Sequence, residues 1–299
     1  MDLRQLDYFV HVAELGSFSR AASILSVAQS ALSHRVRQLE IELKQPLLYR
    51  NGRGVVPTDA GKRLLQHARG ILTQVSRSRE ELAALRGAAA GHVVVALPPS
   101  LGRGLAVPVV KALRQRFPHA TLGIMEGLAT SVVEWIATGR ADIGLVYNAS
   151  PSPAIEIRPL LEEPMLLISG RGRGPRREVA LKDLPKYPLI MPTRPNANRM
   201  RIESMMASFG LKPTIALEID GIASILALVG EGTAHALLAA SALRCYDREQ
   251  AFEARPIVKP KLMIQSALVI SAQRPATALT SSVLAALPEI VLPLLGGER

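Results

Sequence analysis

Phe18-Ser-Arg-Ala-Ala-Ser-Ile-Leu-Ser-Val-Ala-Gln-Ser-Ala-Leu-Ser-His-Arg-Val-Arg-Gln-Leu-Glu40 reads as two short helices joined by a tight turn at Ser26-Val27. In the second helix Ala31, Leu32, Val36 and Leu39 share an apolar face, and Gln29, Ser33, His34 and Arg37 lie mostly on the other. That outer face suits a DNA major groove, because glutamine offers a paired donor and acceptor to adenine and arginine matches guanine or phosphate. Within this window alone, an ordinary helical hairpin with a solvated polar face remains the alternative.

Working outward, residues 3–15 predict an amphipathic helix with Leu3, Leu6, Phe9, Val10 and Ala13 inward, ended by Gly16. Ser19 is placed to cap the next helix, and Ala21, Ala22 and Leu25 let it approach its neighbours closely. The third helix opens at Ala28 or Gln29 and stops near Lys44, before Pro46. Two β-prone segments then flank Asn51-Gly52-Arg53-Gly54, a strong hairpin signal. Its position after a recognition-type helix makes it a wing with Arg50 and Arg53 near the tip, though solvated arginines on a plain hairpin would look the same. From Thr58 to about Arg86, residues Gly61, Leu64, Ala68, Ile71, Val75, Ser78, Leu82 and Leu85 recur three and four apart. So narrow a stripe on a helix of roughly 40 Å predicts pairing with a second copy of the chain. Packing along its own domain is the competing reading.

The balance of 36 Lys/Arg against 25 Asp/Glu gives a net charge of +11 and favours an anionic partner, nucleic acid or membrane surface. The stretch 28–69 carries eight Lys/Arg against three Asp/Glu. A hydrophobic fraction of 48% supports buried cores and excludes disorder over most of the 299 residues, while 4% aromatics makes aliphatic packing dominant. Cys245 is the sole cysteine, so no intrachain disulfide forms, and inert packing is its expected role. The N-terminus lacks the apolar core of a signal peptide, and no uninterrupted apolar run has membrane-spanning length. A soluble cytoplasmic protein is expected.

From His92 the texture changes to alternating apolar strands and helices. Strands are predicted at 93–97, 121–126, 142–147, 155–161, 165–169, 189–191, 214–219, 235–238 and 263–271. Helices fall between them at 105–117, 131–138, 199–209 and 224–230, with a short segment at 240–246 and a final helix near 277–287. This predicts a parallel α/β architecture of two lobes with a cleft between them. Ser100 follows the first strand, where a helix N-terminus offers free N–H groups to a ligand, or it is simply a turn serine. Catalytic and metal motifs are missing. Gly61-Lys62-Arg63 lacks a phosphate loop's hydroxyl and upstream glycines, no His-Glu-x-x-His occurs, and the six histidines are scattered. An enzyme is not expected and no cofactor is predicted. The basic 170–174 loop resembles a phosphate loop only in composition.

Taken together, Leu6-x-x-Phe9, Gly16-Ser17-Phe18-x-x-Ala21-Ala22, Gln29-Ser30-Ala31-Leu32-Ser33, Leu39-Glu40, Leu47-Leu48-Tyr49-Arg50 and Pro57-Thr58-x-Ala60-Gly61 resemble the LysR-type transcriptional regulators. The likeness runs over essentially the whole chain. In the C-terminal half, Leu97-Pro98-Pro99-Ser100-Leu101, Glu126-Gly127, Tyr147-Asn148, Leu161-Glu162-Glu163-Pro164 and Arg255-Pro256-Ile257-Val258 look most like the nitrogen assimilation control branch. His34 departs from the arginine usual in the family, and Ala239 from a proline. His235 sits in an otherwise apolar strand and is read as a core residue.

The resemblance implies a winged helix-turn-helix at 1–57 and a linker and dimerisation helix with hinge at 58–90. It implies a periplasmic-binding-protein-like effector domain, with one lobe at 91–161 completed by 268–299 and the other at 162–267. Phe18, Gln29, Ser30, Ser33, His34, Arg35, Arg37, Arg50 and Arg53 form the DNA-contacting set. For the effector cleft, Thr130, Asn196, Asn198 and Arg199 join Ser100, with Arg199 as a candidate carboxylate clamp. Implied partners are double-stranded DNA carrying an interrupted palindrome, a small polar or anionic effector, and further copies of the chain as dimer or tetramer. RNA polymerase is a candidate partner, and a membrane is not. An exported solute-binding protein and an unregulated architectural DNA-binding protein are the competing classes.

Overall fold

Asp2 and Gln5 open the first helix with a reciprocal cap. Asp2 Oδ1 accepts the Gln5 backbone N–H at 2.7 Å, and Gln5 Oε1 accepts that of Asp2 at 2.8 Å. The computed structural model describes residues 1–51, 54–84, 91–170, 172, 178–246 and 251–296. Arg53, residues 85–90 at the end of the expected 58–90 linker and hinge, and most of the 170–174 loop lie outside the described residues. The chain divides into two compact units, one through residue 88 together with 138–140, the other holding the remainder.

The first unit contains α1 (Leu3–Leu15), α2 (Phe18–Ile24), α3 (Gln29–Leu43), the hairpin β1 (Leu48–Asn51) and β2 (Gly54–Pro57), and α4 (Asp59–Ala84). Its core joins Leu6, Phe9, Val12, Ala21, Leu32, Val36, Leu39 and Leu47, all nearly or fully buried. Gly16 ends α1 at φ +61, a conformation cheap only for glycine. Ser17, not Ser19, caps α2, accepting the Arg20 backbone N–H at 3.3 Å; the extended conformation needed at a cap falls one residue before Phe18.

Three motif residues hold the wing on this core. Glu40 Oε1 accepts the backbone N–H groups of Leu47 and Leu48 at 2.8 and 3.1 Å. The Thr58 hydroxyl donates to the Pro46 carbonyl at 2.7 Å and accepts the Gly61 N–H at 2.9 Å. A Cβ on Gly61 would stand 2.0 Å from the Leu47 carbonyl oxygen, so the close crossing of α4 over the wing requires glycine.

The apolar stripe of α4 does two things rather than one. Gly61 and Ala68 are buried, and Leu64, Leu65 and Leu72 pack partly on the first unit's core. Further along, Ile71 is 38% and Leu82 61% exposed. The first half of the helix therefore follows the competing reading and packs on its own subunit, and the second half leaves apolar side chains uncovered.

The second unit runs β3 (His92–Leu97), α5 (Pro99–Arg116), β4 (Thr121–Glu126), α6 (Ala129–Thr138), β5 (Ile143–Tyr147) and β6 (Ile155–Gly170). After β7 (Val179–Ala180) and a 3-10 turn at Leu181–Lys186 come β8 (Leu189–Met191), α7 (Ala197–Ser208), β9 (Ile215–Glu218), α8 (Ile222–Gly230), β10 (His235–Ala239) and α9 (Ala240–Arg244). β11 (Phe252–Val258), β12 (Met263–Ser271) and α10 (Ala278–Gly296) complete it. Strand order is β4-β3-β5-β12-β6-β10-β8-β9, with β11 paired to β6 and β7.

The expected all-parallel sheet is mixed. β3 is parallel to β4 and β5, and β8 to β9 and β10, but β12 runs antiparallel to β5 and β6, and β6 to β10 and β11. The two strands expected at 155–161 and 165–169 are one 16-residue strand. Up to Pro164 it pairs with β12, and from Met165 with β10 and β11, so it passes through both lobes. Pro164 falls at the change of partner, where a missing N–H costs the ladder least. β12 joins the first lobe's sheet from Met263, ahead of the expected 268 boundary.

Among the described residues α10 is long and apolar enough to cross a membrane. Its Val283, Leu284, Ala286, Leu287, Val291 and Leu295 are buried in the second unit's core and Pro288 and Pro293 interrupt it, which marks a core helix.

Candidate functional site

Burial of Leu32, Val36 and Leu39 fixes the rotation of α3 and turns the remaining faces outward. Gln29, Ser30, His34, Arg35 and Arg37 are exposed and Ser33 is half-buried. Ala31 is exposed too, against the expectation that it packs inward; at 100° per residue it falls off the stripe set by Leu32 and Val36. The Ser19 hydroxyl donates to Gln29 Oε1 at 3.2 Å, orienting the amide at the helix start. Arg50, exposed on β1, donates from Nη1 to Ser33 Oγ at 3.4 Å, and its guanidinium lies 4.6 Å from the Phe18 ring centroid. Phe18 itself is 7% exposed. Its ring belongs to the first unit's core and supports Arg50. Arg53 lies outside the described residues.

In the second unit a cleft of about 120 Å³ opens between the lobes, close to the roughly 150 Å³ that accommodates benzene in an engineered cavity. Ser100 enters it from the first turn of α5, whose N-terminus has Pro98 and no side-chain cap. That helix begins at Pro99 rather than 105, because a proline is well suited to a first turn. Tyr147 from β5 forms part of the floor, with Ile190, Ile202, Ile222 and Leu237 among the apolar walls. An adjoining groove of about 650 Å³ is lined by Thr130, exposed on α6, and by Asn148, Met200 and Arg201.

The candidates on α7 are mostly occupied within the fold. Asn196 is the N-cap, its Oδ1 accepting the N–H groups of Asn198 and Arg199 at 3.0 and 3.1 Å, so the helix starts at Ala197 rather than 199. Asn198 Oδ1 accepts from Asn148 Nδ2 at 3.2 Å, a bond between the lobes. Arg199 lines the cleft but is 5% exposed, and it does not stand free as a carboxylate clamp. It donates to Glu203 at 2.9 Å, to Glu218 at 2.6 Å and to the Pro192 carbonyl at 2.8 Å. Hydrogen bonds to Glu203 and Glu218 raise its pKa further despite burial. Its carboxylate partners come from α7 itself and from β9, a strand whose register the chain's local pattern does not reveal.

Sequence reasoning missed Tyr147 and Ser241 as site residues, although Tyr147-Asn148 was among the branch-like motifs. Tyr147 donates to or accepts from Ser241 Oγ at 3.0 Å. Burial, and next the charge of Glu163, push its pKa well above the usual tyrosine range, so it stands in the cleft as a neutral hydroxyl. Among the described residues no group of three or more His, Cys, Asp or Glu side chains could hold a metal.

Two family models match the chain: a bacterial regulatory helix-turn-helix of the LysR family over residues 3–62, and a LysR substrate-binding domain over 86–290. The nitrogen assimilation regulatory protein Nac of Escherichia coli K12 is 33% identical over 245 residues, 82% of this chain and 80% of that one. A full-length OxyR variant from Pseudomonas aeruginosa superposes with a TM-score of 0.75 at 21% identity, covering 100% and 99% of the two chains. CbnR in complex with its target DNA does so with a TM-score of 0.69 at 25% identity, covering 98% and 100%. The chain belongs to the LysR family and is a DNA-binding transcriptional regulator, not an enzyme.

Proposed function

We propose that the chain acts as a two-fold dimer whose α3 helices read the half-sites of an interrupted palindrome. Gln29 and Ser33 meet base edges, Ser30, His34, Arg35 and Arg37 divide base and backbone contacts, and Arg50 with Arg53 holds phosphates or the minor groove. The observation that carries this is the contrast on one helix: a fully buried Leu32, Val36 and Leu39 opposite an exposed row of donors. The uncovered Ile71 and Leu82 on α4 support pairing between copies, and symmetric heads call for symmetric half-sites. Genome-wide binding with the purified protein, followed by titration of the recovered site against a half-site-scrambled duplex, tests it. Loss of one half-site should weaken binding sharply.

The cleft of the second unit is the proposed seat of a small polar or anionic effector, received by Ser100 and Tyr147 with Thr130 and Asn198 at its mouth. Strand β6, shared by both lobes, supplies the mechanical link. Closing the lobes would bias the paired heads through a coupling free energy. The lobes divide near 164 and 263 in this reading, and the protein works in the cytoplasm. A ligand that shifts both melting temperature and operator occupancy is the expected finding.

A further inference from the structure

From the cleft inward, the side chains of Tyr147, Ser241 and Glu163 form one hydrogen-bonded line. Glu163 lies on β6 beside the change of partner and is 4% exposed. Its Oε2 accepts the Ser241 backbone N–H at 2.7 Å and its Oε1 accepts the Ser241 hydroxyl at 2.5 Å. Ser241 Oγ lies 3.0 Å from the Tyr147 hydroxyl, and Tyr147 lines the cleft together with Ser100. Tyr147 and Ser100 face the cleft, whereas Ser241 and Glu163 are buried behind them.

Each hydroxyl has one proton to give, so the first bond sets the direction of the rest. With Glu163 ionised, Ser241 donates to the carboxylate, Tyr147 donates to Ser241, and the tyrosine oxygen turns its lone pairs toward Ser100 and the cleft. Protonation of Glu163 reverses the line. The carboxyl O–H then donates to Ser241, Ser241 donates to Tyr147, and Tyr147 donates into the cleft.

We propose that Glu163 determines which ligand charge the cleft accepts, and that a small carboxylate held by Ser100 and Tyr147 binds together with one proton, taken from solvent and carried by Glu163. This rests on the cleft being the effector site. Ligand and carboxyl remain separate, no covalent bond changes, and the hydroxyl protons only rotate.

The surroundings favour such coupling. Burial raises the Glu163 pKa, opposed by the two Ser241 bonds and by Arg244, and the balance is upward. Arg244 on α9 stands 3.8 Å away, with its guanidinium also donating to the Leu295 carbonyl of α10. From β5 the group facing it is Tyr147, beside which lies Cys245 of α9. β12 places Ile264 opposite Glu163, and Glu162, next along β6, is exposed. Arg103 and Glu126 act on Tyr246 instead. A second negative charge ahead of an ionised Glu163 is costly in this poorly solvated site.

The test is calorimetric titration of the full-length protein with acetate across a pH series, in buffers of different ionisation heat. In E163Q the amide donates to Ser241 Oγ and its carbonyl accepts the Ser241 N–H, copying the neutral carboxyl. Above the Glu163 titration, the wild type should take up close to one proton per acetate and lose up to about tenfold in affinity per pH unit. E163Q should take up none and hold its affinity. Equal uptake in both proteins overturns the role of Glu163 while leaving the cleft as an acetate site. Binding by neither overturns the cleft reading as well as this one. Should E163Q fail to fold, Tyr147→Phe keeps the Glu163–Ser241 bonds and cuts the line to the cleft. Its stability should still fall, as in the wild type, when pH rises through the raised folded pKa, while proton uptake per bound acetate falls well below the wild-type value. Uptake in Tyr147→Phe equal to that of the wild type, or a complete loss of its acetate binding with the pH dependence of stability gone, contradicts the proposal.

Discussion

On α3, Arg35 and Arg37 are exposed beside Gln29 and His34. On α7, Arg199 is 5% exposed and tied to Glu203, Glu218 and the Pro192 carbonyl. The same residue type is therefore a free cation in one unit and an internal brace in the other. A DNA-reading helix must keep its donors unpaired until a phosphate or base arrives. A cleft wall built from distant segments must first satisfy its own buried charges, because an unpartnered one is expensive. In the proposed effector site it is the small polar groups, Ser100 and Tyr147 in the cleft with Thr130 and Asn198 at its mouth, that meet the ligand.

The sharpest break in this comparison comes from removing each cation. Arg199→Met should cost about 3 kcal/mol in urea denaturation, since it leaves Glu203 with Arg194 alone and the Pro192 carbonyl without its guanidinium donor. A loss under about 1 kcal/mol would mean the brace is idle. The Gly61 contact is next. Gly61→Val should cost about 2 to 3 kcal/mol through overpacking against Leu47, and DNA binding should fall with the folded fraction.

Gln29→Ala should leave stability within about 0.5 kcal/mol and relax discrimination by about 1 to 2 kcal/mol at one base pair per half-site. Competition assays with single-base operator variants read this, and equal losses on specific and random duplexes would remove Gln29 from base reading. Arg50→Ala should have the smallest effect. It should weaken all duplexes alike, lower the salt slope by about 1, and cost about 0.5 to 1 kcal/mol of stability through the lost contact with Phe18.

How much of this was legible follows the same division. The helix-turn-helix and wing are local objects, and Leu32, Val36 and Leu39 at spacings of four and three define α3 without reference to any other segment. That the Phe18 ring turns inward was not legible, because a motif position does not say which way a ring points. In the second unit the strands were recognisable, but their pairing was not. Glu162-Glu163-Pro164 reads as a break, yet β6 continues through it because both neighbouring ladders supply partners. The state of Arg199 depends on Glu218, nineteen residues away on strand β9. Nothing in the local pattern around Arg199 encodes that pairing. Likewise Glu163 meets Ser241 across a separation of 78 residues, a contact that only the folded sheet creates.

The most direct test of the paired reading heads is a fluorescence titration of the purified protein, at one fixed salt concentration, on its genomically recovered operator and on scrambled duplexes of equal length. The account predicts a dimer that prefers the operator by roughly 10³-fold or more and loses most of that preference when either half-site is scrambled. Equal affinity for operator and scrambled duplex would contradict it.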